Sequence, residues 1–235
     1  LRTPSAVIKG NLEMVLEGDV GKITKEQKEI LEEASLGNER MIKLINDLMD
    51  VTKIDEGKFE LKLETTQFED LVAEIINELL PFAKEKHVSL SYTPPAAKMP
   101  KVKIDRQRIK QVLQNLIDNA LKYSKLDHRG QVMVEVGKDE RFLKFVVKDN
   151  GIGIPKDEQD KMFDRFSRGS NATQIDPGGG SGLGLYIAKA IIEQSLGIIE
   201  QIDSEILSVV RGGQGNQRIL PIVIKRGTLI VDGEK

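Results

Sequence analysis

The sequence predicts an α+β chain in which a helical hairpin precedes an α/β sandwich. Two amphipathic helical stretches, joined by a glycine-containing turn, form the first quarter of the 235 residues. Beyond them, predicted strands and helices mix without strict βαβ alternation, which argues against a doubly wound parallel sheet. Two glycine-rich loops, at residues 149–155 and 180–185, mark the region around which the second part is organised.

Composition excludes several classes of site. The chain has no cysteine, so disulfides, thiol catalysis and cysteine-based zinc sites are ruled out. With only His87 and His128, a histidine-rich metal centre is not expected. The net charge of −2, with both signs interspersed, predicts no binding of nucleic acid. No apolar run approaches the roughly 18 residues of a membrane helix, so we expect a soluble segment without membrane contact.

The first 58 residues carry two helical seams. In the first helix, apolar residues recur at near-heptad spacing: Leu1, Ile8, Leu12 and Val15. After Gly18 and Gly21, a capping box at Thr24-Lys25-Glu26-Gln27 starts a second helix. Its seam alternates spacings of four and three residues: Ile30, Ala34, Gly37, Met41, Leu44, Leu48 and Val51. One hairpin cannot bury both seams, so we expect two chains to pair as a four-helix bundle, with packing on the second domain as the alternative.

A domain boundary is predicted where residues 55–58 break the second helix, which divides the chain into domains 1–58 and 59–235. Alternation predicts a strand at 59–63. The elements expected next are a helix at 68–86, strands at 88–92 and 102–104, a helix from the N-cap Asp105 to Tyr123, an antiparallel pair at 131–136 and 142–148, and a helix from Leu183 to Gln194.

The first glycine-rich loop reads Asp149-Asn150-Gly151-Ile152-Gly153-Ile154-Pro155. It is not a dinucleotide-binding fingerprint, because Lys156 stands where the third glycine would open a helix. The chain also lacks the Gly-Lys-Ser/Thr of a P-loop. What remains is a buried strand that ends in a carboxylate beside flexible backbone, where Asp149 can accept a hydrogen bond from an exocyclic amine.

The predicted helix from Asp105 has two distinct faces. Its expected core face comprises Ile109, Val112, Leu113, Leu116, Ile117 and Ala120. Asn115, Asn119 and Lys122 recur at spacings of four and three residues and therefore share another face. An asparagine oxygen is a suitable Mg²⁺ ligand, and a lysine supplies charge to phosphates. The alternative for this face is an ordinary solvated surface.

Taken in order, these segments resemble the conserved boxes of two-component sensor histidine kinases. The asparagine helix, the Asp-Asn-Gly-Ile-Gly-Ile-Pro loop, Met162-Phe163-Asp164-Arg165-Phe166 and Gly180-Ser181-Gly182-Leu183-Gly184-Leu185 follow the family order and spacing. The wider nucleotide-binding family includes gyrase B, the Hsp90 chaperone and MutL. Leu1-Arg2-Thr3-Pro4 resembles the end of the phosphoacceptor motif His-Glu-Leu-Arg-Thr-Pro, and the resemblance covers residues 1–195.

The resemblance implies an ATP site with Mg²⁺, in which Asp149 holds the adenine amino group and Asn119 ligates the metal. The nucleotide-binding residues it implies are Asn115, Asn119, Lys122, Tyr123, Asp149, Gly151, Gly153, Ile154, Ser181, Gly182, Leu183, Gly184 and Leu185. Arg165 and Arg168 would reach the γ-phosphate or stand exposed on a lid. Phe163 would anchor that lid in the core, whereas for Phe166 a core position and a docking surface stay open. Thr3 would occupy the position that serves dephosphorylation of the response regulator.

The resemblance also favours a kinase over an ATPase clamp. Hydrolysing relatives carry a glutamate four residues before the magnesium asparagine, but Asn115 stands there and provides no general base. The implied partners are a response-regulator receiver domain and a second copy of the chain. The phosphoacceptor histidine would precede Leu1, so the chain is expected to be the cytoplasmic portion of a longer sensor and not to phosphorylate itself.

The last forty residues depart from the family pattern. From Ser195-Leu196-Gly197 onward the expected Gly-Gly turn and closing strands match poorly, so residues 196–235 are treated as atypical. Strand-like runs still occur, such as Ile219–Ile224 before a turn at Arg226-Gly227. Two other functions stay open at this point: a docking or dimerisation module with a vestigial nucleotide site, and an ATPase clamp.

Overall fold

The computed structural model describes residues 1–124, 129–138, 143–176, 179–195, 197–202, 205–210 and 222–228. The chain divides into two compact units, Leu1–Phe59 and Glu60–Lys235. The first is helical and the second contains both helices and sheets.

The first unit is a hairpin of helices α1 (Arg2–Glu17) and α2 (Lys25–Asp55). Gly18 ends α1 in the left-handed conformation, at φ 86°, which an L side chain rarely adopts. The predicted capping box is confirmed: the Thr24 hydroxyl accepts from the Gln27 N–H at 3.2 Å, and the Gln27 side chain accepts from the Thr24 N–H at 2.8 Å. The turn between the helices is therefore specified by local sequence.

A hydrogen bond and an ion pair link the two helices. Asn38 of α2 is buried and donates its amide N–H to the Ser5 carbonyl of α1 at 3.0 Å. Lys9 and Glu39 form an exposed ion pair at 3.2 Å. Much of the predicted seam of α2 stays exposed in the single chain, at Ile30, Met41, Leu44 and Leu48. The hairpin therefore presents apolar surface that its own packing does not cover.

The described residues of the second unit form four α-helices, one 3-10 helix and eight strands. Its helices are α3 (Phe68–Glu85), α4 (Arg106–Lys122), α5 (Ser170–Ile175) and α6 (Gly184–Gln194), with a 3-10 helix at Lys156–Lys161. Its strands are β1 (Glu64–Thr66), β2 (Ser89–Thr93), β3 (Val102–Ile104), β4 (Gln131–Lys138), β5 (Leu143–Asp149), β6 (Gly197–Ile202), β7 (Glu205–Val210) and β8 (Ile222–Thr228).

The main sheet has the strand order β2-β4-β5-β8. The predicted antiparallel pairing of β4 with β5 is confirmed, whereas β2–β4 and β5–β8 pair in parallel. Helix α3 packs on β2, and α4 packs on β4 and β5 as well as on α3 and α6. This layer of helices over a mixed sheet confirms the predicted α/β sandwich.

The core lies between the helices and the sheet. Phe68 of α3 and Phe145 of β5 are both fully buried and meet edge to face, with ring centroids 6.4 Å apart. All members of the predicted core face of α4 are buried: Ile109, Val112, Leu113, Leu116, Ile117 and Ala120. Because one face of α4 is held by this core, a flanking face can contribute side chains to a site.

One predicted strand and one predicted turn were wrong. Residues 59–63 are not a strand, and the first strand begins only at Glu64. The Lys62 N–H donates instead to the Asp105 carboxylate, at 2.8 Å. The alternation there reflects a segment with buried Phe59 and exposed Leu63, whose backbone bonds to a helix cap. The turn at 226–227 is also absent, because β8 runs through to Thr228. Residues 219–221 and the predicted 138–140 turn beyond Lys138 lie outside the described part.

Candidate nucleotide-binding site

Helix α4 is positioned at its start by Asp105. One carboxylate oxygen of this N-cap accepts from the Arg108 N–H at 3.0 Å, and the other accepts from the Lys62 N–H at 2.8 Å. The helix ends at Lys122, where the Tyr123 N–H bonds to the Asn119 carbonyl at 3.0 Å. The end of α4 thus presents Asn119, Lys122 and Tyr123 together, all of them half-buried.

The first glycine-rich loop begins at the end of β5 with two residues whose side chains are held by hydrogen bonds, Asp149 and Asn150. Asp149 is buried, and its Oδ1 accepts from the Gly151 N–H at 3.0 Å. The side chain of Asn150 links the loop to the start of β4, because its oxygen accepts from the Gln131 N–H at 2.8 Å and its nitrogen donates to the Arg129 carbonyl at 2.7 Å. The backbone after Asp149 therefore leaves the sheet along a defined path.

This path brings the loop against the end of α4. The Ile152 N–H donates to the Tyr123 carbonyl at 3.1 Å. A Cβ at Gly151 would lie 2.2 Å from that same oxygen, which no side chain can do. Gly153 follows with φ 67°, in the left-handed region, and half-buried Ile154 comes next. The structure thus holds the loop that follows Asp149 against Tyr123, at the end of α4.

The second glycine-rich loop packs on the same helix. A Cβ at Gly184, the first residue of α6, would lie 2.3 Å from the Asn115 Oδ1. Leu183 is fully buried and donates its N–H to the Ser181 hydroxyl at 3.2 Å, whereas Leu185 is half-buried. Of the two leucines expected behind the loop, Leu183 is therefore the one enclosed by the core.

Lys122 lies where this second region meets α4. Its Nζ is 2.9 Å from the Asp176 Oδ2 and 5.2 Å from the centre of the Tyr123 ring. A Cβ at Gly180 would lie 3.5 Å from the same Nζ. Both glycine-rich loops therefore come close to the end of α4. The resemblance to the histidine kinases predicts such an arrangement for an ATP site.

The segment between the two loops is held by residues that carried no sequence signal. Asn171 of α5 donates to the carbonyls of Ile152 and Gly153, at 3.3 and 3.1 Å. Glu158 accepts from the Ser170 N–H at 2.9 Å, and the side chain and N–H of Ser170 hold the pKa of the Glu158 carboxyl below its usual range. Neither contact could be foreseen, since each depends on where the intervening loop folds back.

The arginines and phenylalanines of this segment take different positions. Arg165 is exposed and donates to the Tyr186 hydroxyl of α6 at 2.8 Å, which directs it toward α6. Arg168 donates to the Asp176 carbonyl at 2.5 Å. Phe163 is only half-buried beside Lys189, and Phe166 is 62% exposed with φ 59°. Phe163 is therefore not a fully enclosed core residue.

Thr3 belongs to the first unit. It lies in the first turn of α1, on its exposed surface.

The residues at the end of α4 fit a nucleotide and its metal. The Nδ2 of Asn115 is a buried donor without a hydrogen-bond partner among the described residues, so a ligand acceptor would satisfy it. Gly151 and Gly184 let the two glycine-rich loops pack closely on Tyr123 and Asn115, which a Cβ at either glycine would prevent. The described residues contain no group of three or more His, Asp or Glu placed to hold a metal. Mg²⁺ that takes one protein oxygen and several substrate oxygens suits such a site.

Comparison with known proteins matches this architecture to a nucleotide-binding class. The profile of the histidine kinase-, DNA gyrase B- and HSP90-like ATPases matches residues 104–221, and that of the His kinase A (phospho-acceptor) domain matches residues 1–57. The phospho-acceptor match covers the helical hairpin, and the ATPase match lies within the second unit. The chain belongs to the sensor histidine kinases of two-component systems.

Curated relatives carry the same family name. The chain is 38% identical over 197 residues to the sensor histidine kinase WalK of Bacillus subtilis, covering 82% of this chain and 31% of WalK. It is 30% identical over 217 residues to the circadian input-output histidine kinase CikA of Synechococcus elongatus, covering 92% and 28%. The chain thus spans about a third of the length of the curated relatives it matches.

Solved structures share the fold. Full-length ShkA, crystallised in complex with AMPPNP, superimposes with a TM-score of 0.66 at 24% identity, over 91% of this chain and 41% of ShkA. The Acinetobacter baumannii histidine kinase AdeS gives 0.58 at 25% identity, over 86% and 89%. Within the described ranges of this chain, every helix is too short or too polar to serve as a membrane span.

Proposed function

We propose that this chain is the catalytic core of a sensor histidine kinase, which uses Mg²⁺-ATP to phosphorylate a histidine and relays the phosphoryl group to a response-regulator aspartate. The observation that carries the proposal is that both glycine-rich loops lie against α4 and the residue that follows it: Gly151 against Tyr123, Gly180 near Lys122 and Gly184 against Asn115. Family membership supports the same activity.

Each residue of the proposed site has a distinct role. The buried Asp149 carboxylate accepts a hydrogen bond from the adenine amino group, while Gly153, with no atom within 4 Å of an added Cβ, allows the base to approach the backbone. Asn119 offers its carboxamide oxygen to Mg²⁺. Lys122 and the Asn115 amide donate to phosphate oxygens. ATP supplies the phosphoryl group, and transfer depends chiefly on positioning and charge neutralisation.

Asn115 also distinguishes transfer from hydrolysis. An asparagine is no general base, so this site does not activate water for attack on the γ-phosphate. The phosphoryl group is instead reserved for a nucleophile that the protein presents. Arg165 and Arg168 remain candidates for γ-phosphate contacts, on the segment between the two loops.

The helical hairpin supplies the partner surfaces of this proposal. The exposed apolar residues of α2 are covered when two hairpins form a four-helix bundle, which gives a homodimer. Domains 1–58 and 59–235 then serve phosphotransfer and nucleotide binding. Thr3, exposed in the first turn of α1, is positioned for dephosphorylation of a docked receiver domain. The chain acts in the cytoplasm as part of a longer sensor.

The decisive experiment restores the two upstream residues, His-Glu, and measures acid-labile phosphohistidine with γ-labelled ATP and Mg²⁺. We expect labelling of the restored protein and transfer of the label to a receiver domain. The matched control places Gln at the restored histidine and must stay unlabelled. Asp149→Ala in the restored protein is expected to lower labelling at least tenfold, since a charged hydrogen bond contributes about 1.5–3 kcal/mol. Unlabelled protein that hydrolyses ATP steadily would contradict the proposal and support an ATPase clamp.

A further inference from the structure

The ammonium group of Lys122 already has an acidic partner at the proposed phosphate position. Its Nζ lies 2.9 Å from the Asp176 Oδ2, and the two side chains are 28% and 39% exposed. Asp176 lies between the Met162–Phe166 box and the second glycine-rich loop, in a stretch that none of the family boxes covers. The pair therefore joins a residue of the proposed site to one that lies outside the motifs.

Asp176 is held in this position by its backbone. Its N–H donates to the Ala172 carbonyl at 3.0 Å, as the residue that ends α5. Its own carbonyl accepts from the Arg168 side chain at 2.5 Å and from the Gly179 N–H at 3.1 Å. With the backbone bonded on both sides, the carboxylate does not depend on the ion pair alone for its location.

Gly179 lies directly against the ion pair. A Cβ at this buried residue would lie 1.6 Å from the Asp176 Oδ2 and 2.4 Å from the Lys122 Nζ. No other residue type leaves the carboxylate and the ammonium in place. The close packing indicates that the pair is part of the folded arrangement and not a chance meeting of two long side chains.

We propose that the Asp176 carboxylate is an internal competitor for the phosphates of the nucleotide. A carboxylate and a phosphate both offer anionic oxygens to an ammonium group. When both lie near Lys122, the two anions repel each other, so binding of a phosphate requires that Asp176 leave or that the repulsion be overcome. Asp176 thereby weakens binding of ATP and ADP but not of adenosine. This inference rests on the proposed function of the site.

The test compares dissociation constants of ATP, ADP and adenosine by calorimetry for the wild-type chain and Asp176→Asn. The variant keeps the size and removes the charge. We expect roughly two- to fivefold tighter binding of ATP and ADP, the range that a partly exposed ion pair contributes, and unchanged binding of adenosine. Asp176→Ala is expected to behave alike, and thermal unfolding verifies that both variants fold.

Two controls separate the effect of the contact between Asp176 and Lys122 from the effect of removing one negative charge. Asp160→Asn removes one negative charge from an exposed residue of the 3-10 helix and is expected to change ATP binding less than twofold. In a Lys122→Ala background, Asp176→Asn is expected to improve ATP binding less than in the wild type, because only the direct repulsion between Asp176 and the phosphates is left to relieve.

The results that overturn the inference differ from those that overturn the proposed function. ATP binding that is unchanged or weaker in Asp176→Asn would refute the competition, and weaker binding only with Mg²⁺ would assign Asp176 to the metal instead. An equal gain from Asp160→Asn would refute the role of the contact. Absence of ATP binding by the wild-type chain and by both Asp176 variants would refute the nucleotide site itself and this inference with it.

Discussion

Gly151 lies so close to Tyr123 that a Cβ on the glycine would stand 2.2 Å from the tyrosine carbonyl oxygen. The contact joins the loop after β5 to the residue that follows α4, since the neighbouring Ile152 N–H bonds to the same oxygen. Two elements that the proposed site requires side by side are thus held together by backbone atoms, without any side chain between them.

Gly151→Ala is expected to destabilise the second unit by about 1–3 kcal/mol, the cost of forcing an extra carbon into a filled space. Binding of ATP should weaken with it, because the loop must move away from α4. Urea unfolding and calorimetry measure the two effects. The matched control is Gly137→Ala, in β4, where no atom lies within 4 Å of the added Cβ; we expect a change of at most about 0.5 kcal/mol. Equal losses in both variants would contradict the close-packing explanation.

Asn119→Ala is expected to remove the dependence of ATP binding on Mg²⁺. The alanine offers no oxygen ligand, so the affinity for Mg²⁺-ATP should fall on the order of tenfold, toward that for ATP in EDTA. Calorimetric titrations with and without Mg²⁺ give the comparison. Asn119→Asp keeps an oxygen at the same place and should retain the metal dependence. A Mg²⁺ response that survives in the alanine variant would exclude Asn119 as the ligand.

Asp105→Ala is expected to lower the free energy of unfolding by about 1–3 kcal/mol, because one carboxylate serves two backbone donors, Arg108 and Lys62. Asp105→Asn retains one acceptor oxygen and should lose less. Chemical unfolding of the three proteins orders their stabilities. If the alanine variant matched the wild type, the cap would contribute nothing to the placement of α4.

Tyr92 is expected to lower the free energy of unfolding of the second unit as the pH becomes alkaline. Burial, together with the negative charges of Glu69 and Asp70, raises the pKa of the Tyr92 hydroxyl from 10.0 to about 12. Between these values the folded protein keeps a proton that the unfolded chain releases. Stability is therefore fully present below pH 10 and falls as the pH rises toward 12, by about 1 kcal/mol between pH 10 and 11.

Tyr92→Phe cannot release this proton, so its unfolding free energy should lack that part of the decline. Parallel urea unfolding of both proteins at several alkaline pH values measures the difference. Identical pH profiles would show that Tyr92 titrates normally in the folded state.

Local patterns were sufficient for the helices and their ends. The capping box at Thr24, the N-cap at Asp105 and the buried face of α4 all follow from residue type and a spacing of three or four, since a helix places such residues on one side. The same logic failed at residues 59–63. Alternation is common to strands and to extended segments, and only the hydrogen-bond partner of Lys62 distinguishes the two.

Motif order along the chain led to the family, and with it to the α/β sandwich and the site around α4. It did so because an asparagine helix and two glycine-rich loops at these spacings are chemically specific as a set, although each is weak alone. The contacts of Asn171 with Ile152 and Gly153, the pairing of Asp176 with Lys122 and the parallel pairing of β5 with β8 required the folded chain. Each joins residues whose separation is set by the path of an irregular loop, and no periodicity in the sequence encodes that path.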